Sequence, residues 1–172
     1  GGYKAYRRYV QDALATFSLQ PQLFVLCGST GVGKTTLLQK LAERGLPMID
    51  LEGLANHRGS AFGHAGLGKP ATAQNFDALL LQTLTDLNEQ PLIFIECESK
   101  RVGNVYLPDP LHAAMQSARK ILVQASRQTR ARRLIEEYTD SEEGNSSEIE
   151  ASIASLAKKL GKKRISQLLS DY

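Results

Sequence analysis

Eight consecutive residues, Gly28-Ser29-Thr30-Gly31-Val32-Gly33-Lys34-Thr35, carry the phosphate-binding spacing G-x-x-x-x-G-K-[ST]. They lie between an apolar run and an amphipathic one, where that spacing has to sit to work. Leu23-Phe24-Val25-Leu26 reads as a short buried strand, and Leu37, Leu38 and Leu41 recur at helical spacing before Gly45 ends the helix. Glycines at these positions let successive backbone N–H groups turn inward around a phosphate, and the helix N-terminus behind them adds partial positive charge. Lys34 is then the cation for the terminal phosphate oxygens, and the Thr35 hydroxyl a magnesium ligand. The competing reading is a glycine-rich turn with no ligand; the strand and helix on either side argue against it.

The rest of the chain extends this unit. Tyr6, Val10, Leu14 and Phe17 form one stripe of a helix from Tyr3 to about Phe17. Met48-Ile49 reads as a second strand ending at Asp50. From Gly53 to Lys69 five glycines mark a long loop, a length that is usually functional or disordered. Ala71 to Asn88 is helical, with Phe76, Leu79, Leu80, Leu84 and Leu87 on the buried face. Leu92-Ile93-Phe94-Ile95-Glu96 is an apolar strand ending in a carboxylate. Asp109 is an N-cap before Pro110, with Leu111 and Met115 inward. Ile121-Leu122-Val123 is a further strand, and Ser126 caps a helix running to about Tyr138. Strands alternating with helices through right-handed crossovers give an α/β fold: a P-loop NTPase-like parallel sheet with helices on both faces, plus a small C-terminal helical extension. The expected units are a leading helix (1–20), the α/β domain (21–138), a flexible acidic link (139–147) and a helical segment (148–172). Ligands bind such sheets at the carboxyl ends of the strands, where Cys27, Asp50 and Glu96 fall.

With 172 residues the chain can build one core and is short for two. No run approaches the roughly 20 apolar residues of a membrane span and no leader opens the sequence, so a soluble cytoplasmic protein without a membrane partner is expected. Cys27 and Cys97 each follow an apolar run and read as reduced, partly buried core filler rather than redox or nucleophilic groups. The net charge of +3 hides an asymmetry. Seven acidic and no basic residues lie between Glu136 and Glu150, leaving 21 basic against 11 acidic elsewhere, or +10. Lys4, Arg7, Arg8, Lys100, Arg101, Arg127, Arg130, Arg132, Arg133 and the basic run from Lys158 to Arg164 suit a polyanion or, equally, solvated helix faces.

Glu96 is the natural partner of Lys34 and Thr35, because a carboxylate ending an adjacent buried strand can hold magnesium or activate a nucleophile; capping a neighbouring helix is the alternative. Asp50 and Glu52 close the second strand, with substrate contact and loop anchoring both open. His57, Arg58 and Ser60 make a cationic, hydroxyl-rich turn. Glu98, Ser99 and Arg101 follow the third strand directly, and Arg101 can pair bidentately with a phosphate. Arg127, Arg130 and Arg133 line one helix face at spacing three, as a lid over a phosphoryl group, an RNA contact or a plain surface face.

Several segments together resemble one family, the P-loop domain of bacterial tRNA 2-selenouridine synthase. They are Gly28 to Thr35, the run D-L-E-G-L-A-N-H-R-G-S-A-F-G from Asp50 to Gly63, which includes Phe62, and the stretches Glu96 to Ser99, Arg101 to Val105 and Leu107-Pro108. Gly1 to Arg7 also looks like the closing segment of the rhodanese domain that precedes this domain in the family. The resemblance implies a transferase acting on wobble 2-thiouridine in the anticodon region of certain tRNAs, by geranylation from geranyl diphosphate, selenation from selenophosphate, or both. It places the donor phosphate on the P-loop, with Lys34, Asp50, Glu96 and Arg101 as catalytic candidates and Glu52, His57, Arg58, Ser60, Phe62, Glu98 and Ser99 around the substrate. It also implies tRNA and the rhodanese domain as partners. That domain and its cysteine are not in this sequence, and Cys27 and Cys97 do not stand in for it; the isolated chain is expected to be only partly active. An ATP-dependent kinase or NTPase, with ATP or GTP as ligand, and a non-catalytic tRNA-binding module are the other functions weighed; the Asp50 to Gly63 run ranks them lower, since the P-loop alone does not separate the three.

Overall fold

The computed structural model of the chain describes residues 2–56 and 70–139, and of 134–139 the backbone alone. The elements, in chain order, are α1 (Tyr3–Ala15), β1 (Gln22–Cys27), α2 (Lys34–Glu43), β2 (Met48–Ile49), α3 (Leu51–Ala55), α4 (Ala73–Leu87), β3 (Leu92–Glu96), β4 (Arg101–Val102), β5 (Val105–Tyr106), α5 (Asp109–Ser117), β6 (Arg119–Leu122) and α6 (Arg127–Thr139). Four strands form a parallel sheet in the order β2-β3-β1-β6. The register sets Leu26 opposite Glu96 and Ile49 opposite Ile95, so the phosphate-binding motif and the β3 carboxylate leave the sheet side by side.

Strand alternation sorts the side chains onto two faces. Leu23, Val25, Ile49, Ile93 and Ile95 join Val10 and Leu14 of α1, Phe76, Leu80 and Leu84 of α4, and Leu111 and Met115 of α5 in one buried cluster. On the other face the rings of Phe24 and Phe94 lie 5.6 Å apart, and Leu26 is buried, as is Leu38 of α2. Helices therefore cover both faces, as expected. Burial of a side chain such as Leu38 or Phe76 contributes about 1.5–3 kcal/mol. The leading helix, set apart in the sequence as residues 1–20, belongs to this same cluster through Val10 and Leu14.

Some expectations need correction. The loop expected from Gly53 does not begin there: Gly53 lies inside α3, with Asp50 as N-cap accepting from the Gly53 N–H at 2.7 Å. Leu79, expected inside, is 47% exposed, because α4 turns only Phe76, Leu80 and Leu84 fully inward. Asp109 is the first residue of α5 rather than its cap; its carboxylate pairs with Lys100 instead. The hairpin β4–β5 was not expected: Gly103, at φ +57, turns the chain so that Val102 and Val105 are both buried. Among the described residues β6 pairs with β1 alone and so forms an edge of the sheet, and its side chains are all exposed. The acidic link and C-terminal segment lie outside the described residues, except Thr139, which ends α6.

Candidate functional site

Between β1 and α2 the chain makes the turn its glycines permit. A Cβ on Gly28 would stand 2.5 Å from the carbonyl oxygen of Val123 and 2.9 Å from Cγ2 of Val32, so only glycine lets the loop press against the end of β6. Gly33, at φ +91, opens α2 in the left-handed region, and no described side chain caps that helix. The first N–H groups of such a helix have no intrahelical partner and are free to meet an anion. Val32 is buried and anchors the loop, while Ser29 and Thr30 are exposed. Lys34 donates from Nζ to the carbonyl oxygen of Gly28 at 3.3 Å, spanning the loop it would share with a phosphate.

Behind the loop stand three carboxylates. Oxygens of Glu52, Glu96 and Glu98 lie within 4.8 Å of one another. The Thr35 hydroxyl is 3.4 Å from Oε2 of Glu52 and 3.5 Å from Oε2 of Glu96. Glu96 is fully buried, and its Oε1 accepts from the Glu52 N–H at 2.7 Å. Burial, and then the charge of Glu52, push the Glu96 carboxyl up to about 8. The same two causes, in the same order, raise Glu98 to about 7, with Lys34 opposing. Three carboxylates packed this closely are a hard-oxygen set whose repulsion a divalent cation would relieve, and the Thr35 hydroxyl adds a neutral ligand. The sequence places Thr35 and Glu96 together and leaves Glu52 and Glu98 with the substrate; α3 brings Glu52 to the end of β3, and Glu98 joins the cluster because it follows that strand by two residues.

A second wall is built by α6. Arg130 donates from Nε to the carbonyl oxygen of Thr30 at 2.9 Å, and Arg133 from Nη1 to that of Val32 at 2.6 Å. Two of the three spaced arginines thus hold the phosphate loop itself, while Arg127 is exposed. Where β6 passes into α6, a cavity of about 520 Å³ opens beside the loop, lined by Gly28, Ser29, Val32, Val123, Gln124 and Arg130. No sequence signal marked it, because its walls are mostly backbone and small side chains.

The other described candidates are engaged in local structure. Asp50 is engaged as the α3 cap. Arg101 donates from Nε to the Gly103 carbonyl at 2.8 Å and lies over the Tyr106 ring, and Ser99 donates to the Arg101 carbonyl at 2.6 Å, so both serve the hairpin. His57, Arg58, Ser60 and Phe62 fall outside the described residues. Both cysteines are free; Cys97 is exposed rather than partly buried, and burial first, then its hydrogen bond with Cys97, pushes the Cys27 thiol up to about 11. That keeps Cys27 protonated and unreactive. Among the described residues no helix is long and apolar enough to cross a membrane.

Residues 21–171 match the family described as the tRNA 2-selenouridine synthase AAA domain. The chain is 36% identical over 139 residues to the tRNA 2-selenouridine synthase of Alcanivorax borkumensis and 37% identical over 139 residues to that of Pseudomonas syringae pv. syringae, covering 80% of this chain and 37% of each relative. It is 39% identical over 138 residues to that of Psychromonas ingrahamii, covering 80% and 36%. The chain thus spans little more than a third of the curated relatives it matches. Among solved structures, AMPPCP-bound DnaA from Aquifex aeolicus aligns over 95% of this chain and 62% of its own, at TM-score 0.33 and 20% identity, too loose a likeness to carry an argument.

Proposed function

The chain belongs to the tRNA 2-selenouridine synthase AAA-domain family, and on that premise we propose that it is the phosphate-binding domain of a tRNA-modifying transferase. The donor's phosphate or diphosphate sits in the loop from Gly28 to Thr35, held by backbone N–H groups and by Lys34. The donor is geranyl diphosphate, selenophosphate or both, and the acceptor is wobble 2-thiouridine in tRNA. The observation that carries the phosphate reading is the Thr35 hydroxyl set between Glu52 and Glu96 at the foot of an uncapped helix. Thr35, Glu96 and the flanking Glu52 and Glu98 would hold a magnesium ion. Bound there, magnesium supplies charge neutralisation to the phosphate oxygens.

For this chain's own residues the chemistry is positioning. Lys34 must leave the Gly28 carbonyl to meet a phosphate, Arg130 and Arg133 hold the loop carbonyls outward, and the cavity beside Val123 has room for the group attached to the phosphate. Calorimetric titration with geranyl diphosphate, selenophosphate and ATP, each with and without magnesium, tests the reading. Saturable binding of either of the first two, tighter with magnesium and stronger than ATP, is expected. ATP binding alone would move the chain to a nucleotide-driven role.

A further inference from the structure

We propose that the exposed N-terminal half of α1 is a surface for unpaired RNA, its tyrosines stacking on bases and its cations meeting phosphates. This rests on the tRNA-modifying role proposed above. Tyr3, Tyr6 and Tyr9 are 66%, 57% and 64% exposed, against the norm that large aromatic rings are mostly covered. Lys4, Arg7 and Arg8 alternate with them, and from Gly2 to Gln11 there is no acidic side chain. Ring faces interleaved with cations, at one-turn spacing, are what single-stranded nucleic acid binds: any base offers a π-face, and the backbone offers charge. Two acids border the patch: Asp12 lies 3.9 Å from Arg8 across an exposed pair, and Asp77, its carboxyl raised by burial, lies close enough to Arg7 for that cation to oppose the rise, which leaves Lys4 without an ion pair to either.

Position gives the second argument. Tyr3 hydrogen-bonds Gln74 at the start of α4, and Gln20, beyond the end of α1, donates to Asn88 at the end of α4. The two helices therefore run parallel. The start of α4 lies beside α3, since Ala71 donates to the Ala55 carbonyl, and its end leads into β3, where Gln22 donates to Pro91. The tyrosine half of α1 is thus at the carboxyl edge of the sheet, the edge where the phosphate loop and Glu96 emerge. A small cavity of about 70 Å³ between α1 and α4, walled by Tyr3, Tyr6, Arg7, Gln74, Asn75 and Asp77, sets amide groups beside the rings. A polyanion with splayed bases uses every element of this face, the rings for its bases and the cations for its phosphates.

The test is fluorescence anisotropy of the full chain with a labelled tRNA anticodon stem-loop and a blunt RNA duplex of equal length. Tyr6→Leu with Tyr9→Leu should weaken stem-loop binding about tenfold or more, the scale of a lost base stack, and leave the duplex unchanged. Phenylalanine at both positions should retain binding. The chain has no tryptophan and six tyrosines, so the part of the tyrosine quenching by the stem-loop that disappears in the leucine pair reports stacking on α1. Replacing Lys4, Arg7 and Arg8 by Gln should weaken both RNAs and flatten the salt dependence. Wild-type affinity in the leucine pair would overturn the proposal and give the face to a protein partner, and equal loss on both RNAs would overturn stacking. No RNA binding by the wild-type chain would overturn the tRNA reading itself, and this surface with it. Both variants must melt at the wild-type temperature, which exposed positions permit.

Discussion

The backbone N–H of Glu52 donates to Oε1 of Glu96 at 2.7 Å, so the carboxylate that ends β3 fixes the helix carrying the next member of its own acid cluster. Glu96 is therefore both a structural acceptor and a group held against its charge. Its carboxyl is raised from 4.5 to about 8, so between those values the native state keeps a proton that the unfolded chain releases. The stabilisation is complete below about pH 4.5 and is lost as pH rises through 8. Glu96→Gln keeps an acceptor for Glu52 without the charge. It should match the wild type at pH 5 and melt higher at pH 9, by on the order of a few kcal/mol. Thermal unfolding at both values decides it; an equal shift at the two would sink the argument.

Magnesium should act in the same direction as that substitution. At pH 8.5 the wild type should gain thermal stability with added magnesium, and Glu96→Gln should gain much less, because the cation relieves a repulsion the variant lacks. Identical gains would place the ion elsewhere. Chelation should return the wild type to its lower melting temperature.

Lys34→Ala should weaken phosphate-ligand binding roughly ten- to hundredfold with little change in folding. The side chain is partly exposed and donates a single long contact to Gly28, so the folded state loses little, while a bound phosphate loses a charge-assisted contact of about 1.5–3 kcal/mol. Unchanged calorimetric affinity for every phosphate ligand is the result that removes the P-loop assignment.

Gly28→Ala should destabilise the chain by about 1–3 kcal/mol or more, since the new Cβ meets a backbone carbonyl that cannot step aside without moving the end of β6. Gly2→Ala is the control. There a Cβ meets nothing within 4 Å and the backbone is extended, so denaturant unfolding should show no change.

Replacing Arg130 and Arg133 together by Ala should speed amide exchange across Gly28 to Thr35 and at the start of α6, while exchange in β1 and β3 stays as it was. If exchange in the loop did not change, those two hydrogen bonds would not be what orders it.

Much of this architecture could be read from residue order because long-period signals dominate it. The motif from Gly28 to Thr35 has a fixed spacing, and the strands around it and α4 span enough residues to show a period; these elements lie where expected, although Leu79 of the α4 stripe faces out. The elements that were not foreseen are short. Two-residue strands in β4 and β5 have no measurable alternation, although Val102-Gly103-Asn104-Val105 carried a turn signal between two β-branched residues. Asp50 is a residue type that caps helices, but the glycines that follow it read as loop, so α3 was not foreseen. The acid cluster was half legible: Glu96 followed from the end of its strand, whereas Glu52 needed a helix that sequence spacing did not suggest. The cavity beside Val123 had no signature, since what shapes it is where β6 ends.

Among the described residues β6 pairs with β1 alone, and none of its side chains is buried. The least costly partial opening of this sheet is therefore to release β6 together with α6, leaving β1, β3 and the cluster around Phe76 closed. That event takes Arg130 and Arg133 away from Thr30 and Val32 and removes the carbonyl against which Gly28 is packed. The phosphate loop then belongs to the first cooperative unit to open, not to the rigid body it grows from. Ligand affinity will track the free energy of that local opening, so substitutions in β6 can weaken binding while the melting temperature of the whole domain stays where it was.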